Sequence, residues 1–368
     1  VLPRIVTWRN WDRLYTDVSL WRGPIERVFS RLGLSLVSID AGFPGTSAAF
    51  AVECAPGSAQ GGPTDSHESA FAVGGGKVPP GRYVVKFYPP MVHGDFVAEV
   101  EVRGALRTAR PGSLSPVPGA SPVPDVVAAG ILEDRIDWPY LVEPFLPGRA
   151  VREVWDGMDA AGRAGVAVQV ADLLKAVHST PLSLLPRLTR TAREWQAWAH
   201  GRLDACVDEI AAAKILPDAI LPEIRRFMDE EGGRVIAGVE DGSLNLLHGD
   251  MTEDHVLVEQ VETQAGRKES VWQVTGLIDF GDAEVGPLFY EWVALWFALF
   301  RQDATAFRAF LERYEGSVPD VAAGRAMVFT LLHRFNSAII AHILRRRSVD
   351  PSGVADLAAL VDLMWPHL

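Results

Sequence analysis

The chain has 368 residues, 48% of them hydrophobic, which is ample for a packed core and, at roughly 150 residues per domain, points to two lobes. Asp and Glu number 47 against 35 Lys and Arg, a formal charge of -12 that excludes a general nucleic-acid or anionic-membrane binding surface and is compatible with a cationic small partner. Cys54 and Cys206 are the only cysteines and lie in no C-x-x-C pattern, so no disulfide framework or cysteine metal site is expected, and no apolar run approaches the roughly 18 residues of a membrane span.

In chain order, the start at Val1 lacks the basic-then-apolar order of a secretory signal, and with so few cysteines the expected location is cytoplasmic. Trp11, Leu14, Val18, Trp21, Ile25, Val28, Phe29 and Leu32 recur at helical spacing and predict one or two helices over residues 10–34, with Gly33 at the C-cap; residues 1–35 read as a helical extension. Residues 36–39 and 48–53 read as a hairpin whose tip, Ala41-Gly-Phe-Pro-Gly-Thr-Ser47, is rich in Gly and small hydroxyl residues. Residues 55–81, crowded with Gly, Pro and Ser, read as an excursion between strands. Its Gly74-Gly-Gly-Lys77 is no phosphate loop, because Val78 stands where Ser or Thr is required.

Arg82-Tyr-Val-Val-Lys-Phe-Tyr88 predicts a strand with one charge in its middle, and residues 96–106 a helix. Tyr140-Leu-Val-Glu-Pro-Phe-Leu-Pro-Gly148 is an apolar strand stopped by prolines, the connector at which a first lobe (36–146) gives way to a second (147–368). Helices are then predicted over 164–178, 191–213, 221–231, 289–300, 304–314 and 321–344, with short strands at 256–259 and 274–279. Trp292, Trp296, Phe297 and Phe300 share a helical spacing that marks a core face. His178 ends an apolar helical face and reads as a packed histidine.

The chemistry concentrates in Leu247-His-Gly-Asp-Met-Thr-Glu-Asp-His-Val-Leu-Val258 and Gly276-Leu-Ile-Asp-Phe-Gly-Asp282. A carboxylate and a second ligand five residues along one loop, followed by a strand ending in Asp-Phe-Gly, is how a kinase-like site places one base and a divalent-metal pair around a triphosphate. Asp279 lies among Leu277, Ile278 and Phe280, where a metal would compensate its charge. Lys86, a lone cation in an apolar strand, needs a partner, and the next helix offers Glu99 and Glu101. His248 reads as holding its loop by ring hydrogen bonds, since proton abstraction needs only one carboxylate.

These residues resemble the aminoglycoside phosphotransferase family, small-molecule kinases that share the protein-kinase fold, over nearly the whole chain. The family pattern His-Gly-Asp, then after four residues Asn, then Ile-Asp-Phe-Gly-Asp, is matched by His248, Gly249, Asp250, His255 and Ile278 to Asp282. His255 replaces Asn, as in macrolide-type members, while the layout is most similar to hygromycin-type members. The resemblance implies an α+β, protein-kinase-like two-lobed fold with a β-rich, nucleotide-binding N-lobe and a mostly helical C-lobe. It implies Asp250 as catalytic base, His255 and Asp279 as Mg²⁺ ligands, and ATP or GTP as donor. Gly45, Thr46 and Ser47 are similar to the family's nucleotide loop, and Lys86 would grip the α and β phosphates. Glu99 is favoured as its partner because Glu99-Val-Glu101-Val-Arg-Gly-Ala-Leu106 resembles the family's Glu-x-Glu-x-Tyr-x-x-Leu helix. Residues 140–148 resemble the hinge that bonds the base through backbone at Glu143 to Phe145.

The implied activity is γ-phosphoryl transfer to a hydroxyl of an antibiotic, an aminoglycoside first, as a resistance or self-protection enzyme, with Asp282, Glu284 and Glu291 near enough in sequence to meet a polyamine. A macrolide, a nucleoside antibiotic or a small metabolite are alternative acceptors. A nucleotide-binding pseudokinase would explain His255 but not the intact Lys86, Asp250 and Asp279. A protein kinase is disfavoured by His-Gly-Asp in place of His-Arg-Asp and by the lack of Ala-Pro-Glu after Asp279.

Overall fold

A computed structural model describes residues 2, 6–11, 13–57, 71–72, 77–109, 122–262, 270–317 and 322–366; most of the excursion expected at 55–81 lies outside the described residues. The chain forms two units, Val1–Gly148 with Thr275–Ala283, and Arg149–Val274 with Glu284–Leu368.

The first unit is built on β1 (Leu34–Phe43), β2 (Ala48–Pro56), β3 (Phe71–Ala72), β4 (Gly81–Phe87), β5 (Ala128–Glu133) and β6 (Asp137–Pro144), in the order β1-β2-β4-β6-β5-β3. All neighbouring strands are antiparallel. Side chains alternate between faces along a strand, and this decides what β4 meets. Tyr83, Val85 and Phe87 join an apolar layer with Trp11 of α1 (Trp8–Trp11) and Trp21, Ile25, Val28 and Phe29 of α2 (Val18–Arg31). Trp21 stacks on Phe87 at 4.8 Å and meets Trp138 edge-on at 5.2 Å. The N-terminal helices therefore help to build the core of this unit. Helix α2 starts at Asp17, whose carboxylate accepts from the N–H groups of Ser19 and Leu20, and ends before Gly33 at φ +73°.

Lys86 alternates to the other face, aligned with Ala49 and Leu141. There Tyr88, Val92, Val126, Ala129 and Leu141 form a smaller apolar cluster with Phe96 and Val100 of α3 (His93–Ala109). Helix α3 starts at His93, so His93-Gly-Asp95 is its first turn.

The second unit contains β7 (Arg149–Ala150), β8 (Leu244–Leu247), β9 (Val256–Glu262), β10 (Ser270–Leu277, running past the break at Val274) and β11 (Glu284–Pro287), paired as β10-β9-β7 and β11-β8. Its helices include Ala160–His178, Ala192–Ala213, Leu288–Ala294, Ala304–Glu315, Ala323–Leu332 and Asn336–Arg346. Trp292, Trp296, Phe297 and Phe300 are all buried. The single helix expected over 321–344 is two, Ala323–Leu332 and Asn336–Arg346, turned by 119°. Polar side chains satisfy the groups such a break exposes: the Asn336 amide donates to the Leu331 carbonyl and to Glu209, and His333 Nδ1 accepts from the Phe335 N–H. No single described helix is long and apolar enough to cross a membrane.

Candidate active site

In the first unit, Lys86 Nζ lies 3.0 and 3.1 Å from the two Glu99 oxygens and 3.3 Å from Asp279 Oδ1. Lys86 is 4% exposed and Glu99 fully buried, which two charges tolerate only when paired. Burial works against the Lys86 charge, but Asp279, Glu99 and Glu143 outweigh it and hold its pKa above the ordinary lysine value. Burial likewise opposes the Glu99 charge, and Lys86 and Arg103 reverse the balance, so its pKa is lowered. The Tyr88 hydroxyl donates to Glu99 Oε2 at 2.6 Å. Arg103, one turn along α3, donates through Nη2 to Glu99 Oε1 and Glu143 Oε2, both at 2.8 Å, and through Nη1 to the Pro124 carbonyl.

The strip Thr275–Ala283 is fixed by the Leu277 N–H, which donates to the Pro122 carbonyl at 2.7 Å, and by the fully buried Phe280 ring, 5.3 Å from the Arg103 guanidinium. Asp279 has φ +66°, a left-handed conformation that costs a non-glycine residue about 1 kcal/mol or more. Its side chain is still 40% exposed, so the strained backbone presents the acid both to Lys86 and to solvent. At Gly281 a Cβ would stand 3.1 Å from Asp95 Cβ, so the missing side chain lets the strip approach α3.

In the second unit, β8 and β11 pair Leu247 with Glu284, and the loop that leaves β8 carries His248, Gly249 and Asp250. Gly249 supplies a φ of +82°. The N–H groups of His248 and Gly249 donate to one carboxylate, that of Glu291 on the helix Leu288–Ala294. Burial opposes the Glu291 charge, but His178, 3.5 Å away, together with His248 keeps its pKa below the usual range. Arg334 donates to the Gly249 carbonyl. The Asp250 carbonyl accepts from the Thr252 N–H and from His255 Nδ1, each at 2.8 Å. A carbonyl only accepts, so His255 carries a proton on Nδ1, and in the neutral ring Nε2 has the lone pair. Glu253, in the same loop, is gripped by Arg152 and Arg301. The backbone is thus held from several directions while the Asp250 side chain keeps 24% of its surface exposed.

Residues 62–326 match the family model described as the phosphotransferase enzyme family, a span of more than half the chain that contains Lys86, Glu99, Asp250, His255 and Asp279. The chain belongs to this family. A hydroxylysine kinase of Mus musculus is 24% identical over 208 residues, 55% of this chain and 53% of that protein, so the chain spans about half the length of this curated relative. Among solved structures, the GDP complex of wild-type aminoglycoside 2'-phosphotransferase-IIIa aligns with a TM-score of 0.54 at 15% identity, covering 95% of this chain and 97% of that one. A thermostable mutant of aminoglycoside phosphotransferase APH(4)-Ia, in a ternary complex with ADP and hygromycin B, aligns with a TM-score of 0.52 at 16% identity, covering 92% and 97%. At these identities the shared property is the fold, a kinase-like α+β architecture with a sheet-rich first part and a helical second part.

Within this family member the predicted residues fall into distinct groups. Lys86, Glu99 and Asp279 meet in the first unit; Asp250 and His255 share a loop in the second, with His255 Nδ1 3.5 Å from Asp250 Oδ2. Gly45 and Thr46 stand exposed, and Ser47 half-buried, where β1 turns into β2. At the expected hinge, Glu143 is 3% exposed with its carboxylate on Arg103, and the Phe145 N–H donates to the Arg82 carbonyl at 3.0 Å. The Phe145 N–H is thus engaged at the end of β4. Glu291 is corrected as an acceptor-lining acid. Glu284 is ion-paired to Arg190, and Glu291, 1% exposed, is the anchor of the Asp250 loop. Asp282 is half-buried in the first unit.

Sequence reasoning missed Arg103 and the anchoring role of Glu291. A signal existed for each. Arg103 follows Glu99 at i+4, and Glu291 is a lone acid in the apolar run 288–300, where a charge must find donors.

Proposed function

We propose that this family member transfers the γ-phosphoryl of ATP or GTP to a hydroxyl of an amine-bearing small molecule, an aminoglycoside first. The observation that carries the reading is the buried Lys86–Glu99 pair with Asp279 at 3.3 Å, a cation and a strained acid held ready at one point. Lys86 grips phosphate oxygens, Glu99 keeps its ammonium in place, and the backbone and hydroxyls of Gly45, Thr46 and Ser47 complete the phosphate contacts. Asp250 orients the acceptor hydroxyl and takes its proton.

For Mg²⁺ the carboxylate of Asp279 has fitting chemistry. Among the described residues no cluster of three or more His, Cys, Asp or Glu forms a metal cage, and Mg²⁺ is ordinarily held by one or two carboxylates together with substrate phosphates. Asp279, whose side chain is 40% exposed, would hold it through carboxylate oxygen. Bound Mg²⁺ supplies neutralisation of charge on the phosphate oxygens.

The molecules named for the similar proteins, hygromycin B and hydroxylysine, are both hydroxyl-bearing amines. The net charge of -12 favours such a cation. A second reading, a hydroxylated amino-acid metabolite as acceptor, is favoured by the hydroxylysine kinase relative. Phosphate-transfer screening against aminoglycosides, hydroxylysine, macrolides and nucleoside antibiotics separates these readings. Asp250→Ala should remove on the order of 10² to 10⁴ in turnover while nucleotide binding persists; near-normal turnover would refute the role of this base.

A further inference from the structure

We propose that Arg103 is a positioning residue for phosphate transfer, one guanidinium that fixes the helix carrying Glu99, the strand carrying Glu143 and the aromatic ring following Asp279. The inference rests on the phosphotransferase reading above and adds a residue that touches neither nucleotide nor acceptor.

Arg103 limits the excess of negative charge around Lys86. Lys86 and Arg103 face Glu99, Glu143 and Asp279, so removing Arg103 leaves one ammonium among three carboxylates. Arg103 satisfies Glu143 and shares Glu99, which keeps Lys86 directed at Glu99 and Asp279 and not drawn toward Glu143. The same side chain acts on Asp279 from two sides. Its guanidinium faces the Phe280 ring, and its Nη1 holds the Pro124 carbonyl, two residues from the Pro122 carbonyl that anchors the Leu277 N–H. It is 3% exposed, so these contacts are made out of water, where charge-assisted hydrogen bonds are strong. A side chain with a single donor could not serve two carboxylates and a carbonyl at once.

A purely structural role, neutralising buried acids, is the competing account, and a variant pair separates the two. Arg103→Met leaves Glu143 without its cation, whereas Arg103→Met/Glu143→Met removes both charges and keeps the volume. The readout is the ratio of Mg²⁺-nucleotide affinity to nucleoside affinity, measured by calorimetry with ATP and adenosine and with GTP and guanosine. Positioning predicts that the double variant unfolds cooperatively, yet its ratio falls about 10- to 100-fold from that of the unaltered chain, with Arg103→Lys recovering part of the loss. An unchanged ratio in the double variant overturns the proposal, and so does loss of cooperative unfolding in it, because a residue needed for folding alone is a structural one. If the unaltered chain binds no nucleotide, the phosphotransferase reading itself falls and this inference with it.

Discussion

His333 shows how one side chain can set the pH range of the second unit. It is 2% exposed, its ring lies parallel to Tyr290 at 4.7 Å, and burial together with Arg334 and Arg202 pushes its pKa down to about 3. The unfolded chain takes up a proton near pH 6.5, so the stability from keeping this ring neutral is present above that pH and is lost as pH falls from 6.5 toward 3. At pH 5 the loss should be on the order of 2 kcal/mol. Melting temperatures at pH 7 and pH 5 test this: the drop should be clearly smaller in His333→Phe, and an equal drop would remove His333 as its source. At this scale the sequence was informative where a residue breaks its surroundings. Lys86 in an apolar strand announces the need for an acid, and His-Gly-Asp with Asp-Phe-Gly marks a reaction class. It was uninformative where a partner lies far along the chain: nothing near Glu291 names the His248 N–H 43 residues before it, and the mistaken acceptor role followed from that distance.

At the scale of elements, apolar spacing located most helices and strands, and the Gly33 stop was readable because a left-handed φ favours glycine. Spacing reports a helical face and not its continuity, which is why the turn at His333–Asn336 was invisible; it depends on Glu209, 127 residues away. The role of α2 was also hidden, since an amphipathic helix does not announce which sheet it covers. The first unit depends on that cover. Trp21 is fully buried against Phe87 and Trp138, so Trp21→Ala should cost about 3 to 5 kcal/mol. Chemical denaturation measures this directly, and a loss below 1 kcal/mol would show that the cover is loosely held.

At the scale of the whole molecule, the division into units does not follow the order of the chain. Thr275–Ala283 packs with Val1–Gly148 although the residues on both sides of it belong to the second unit. A fragment of residues 1–148 therefore lacks Leu277, Asp279 and Phe280, leaving the Pro122 carbonyl, Lys86 and the Arg103 guanidinium without those partners. Such a fragment should melt broadly and at lower temperature than the intact chain, and a peptide spanning 275–283 should sharpen the transition; a cooperative melt at the parent temperature would show that the strip is dispensable. During synthesis this imposes a schedule. The ribosome releases the amino-terminal sheet early, but the acid that joins Lys86 and Glu99 emerges only after most of the polypeptide has been made. The sheet-bearing unit must wait, incomplete, until residues 275–283 have been made, and any exchange of the helical half between relatives by recombination must carry that strip across as a separate insert.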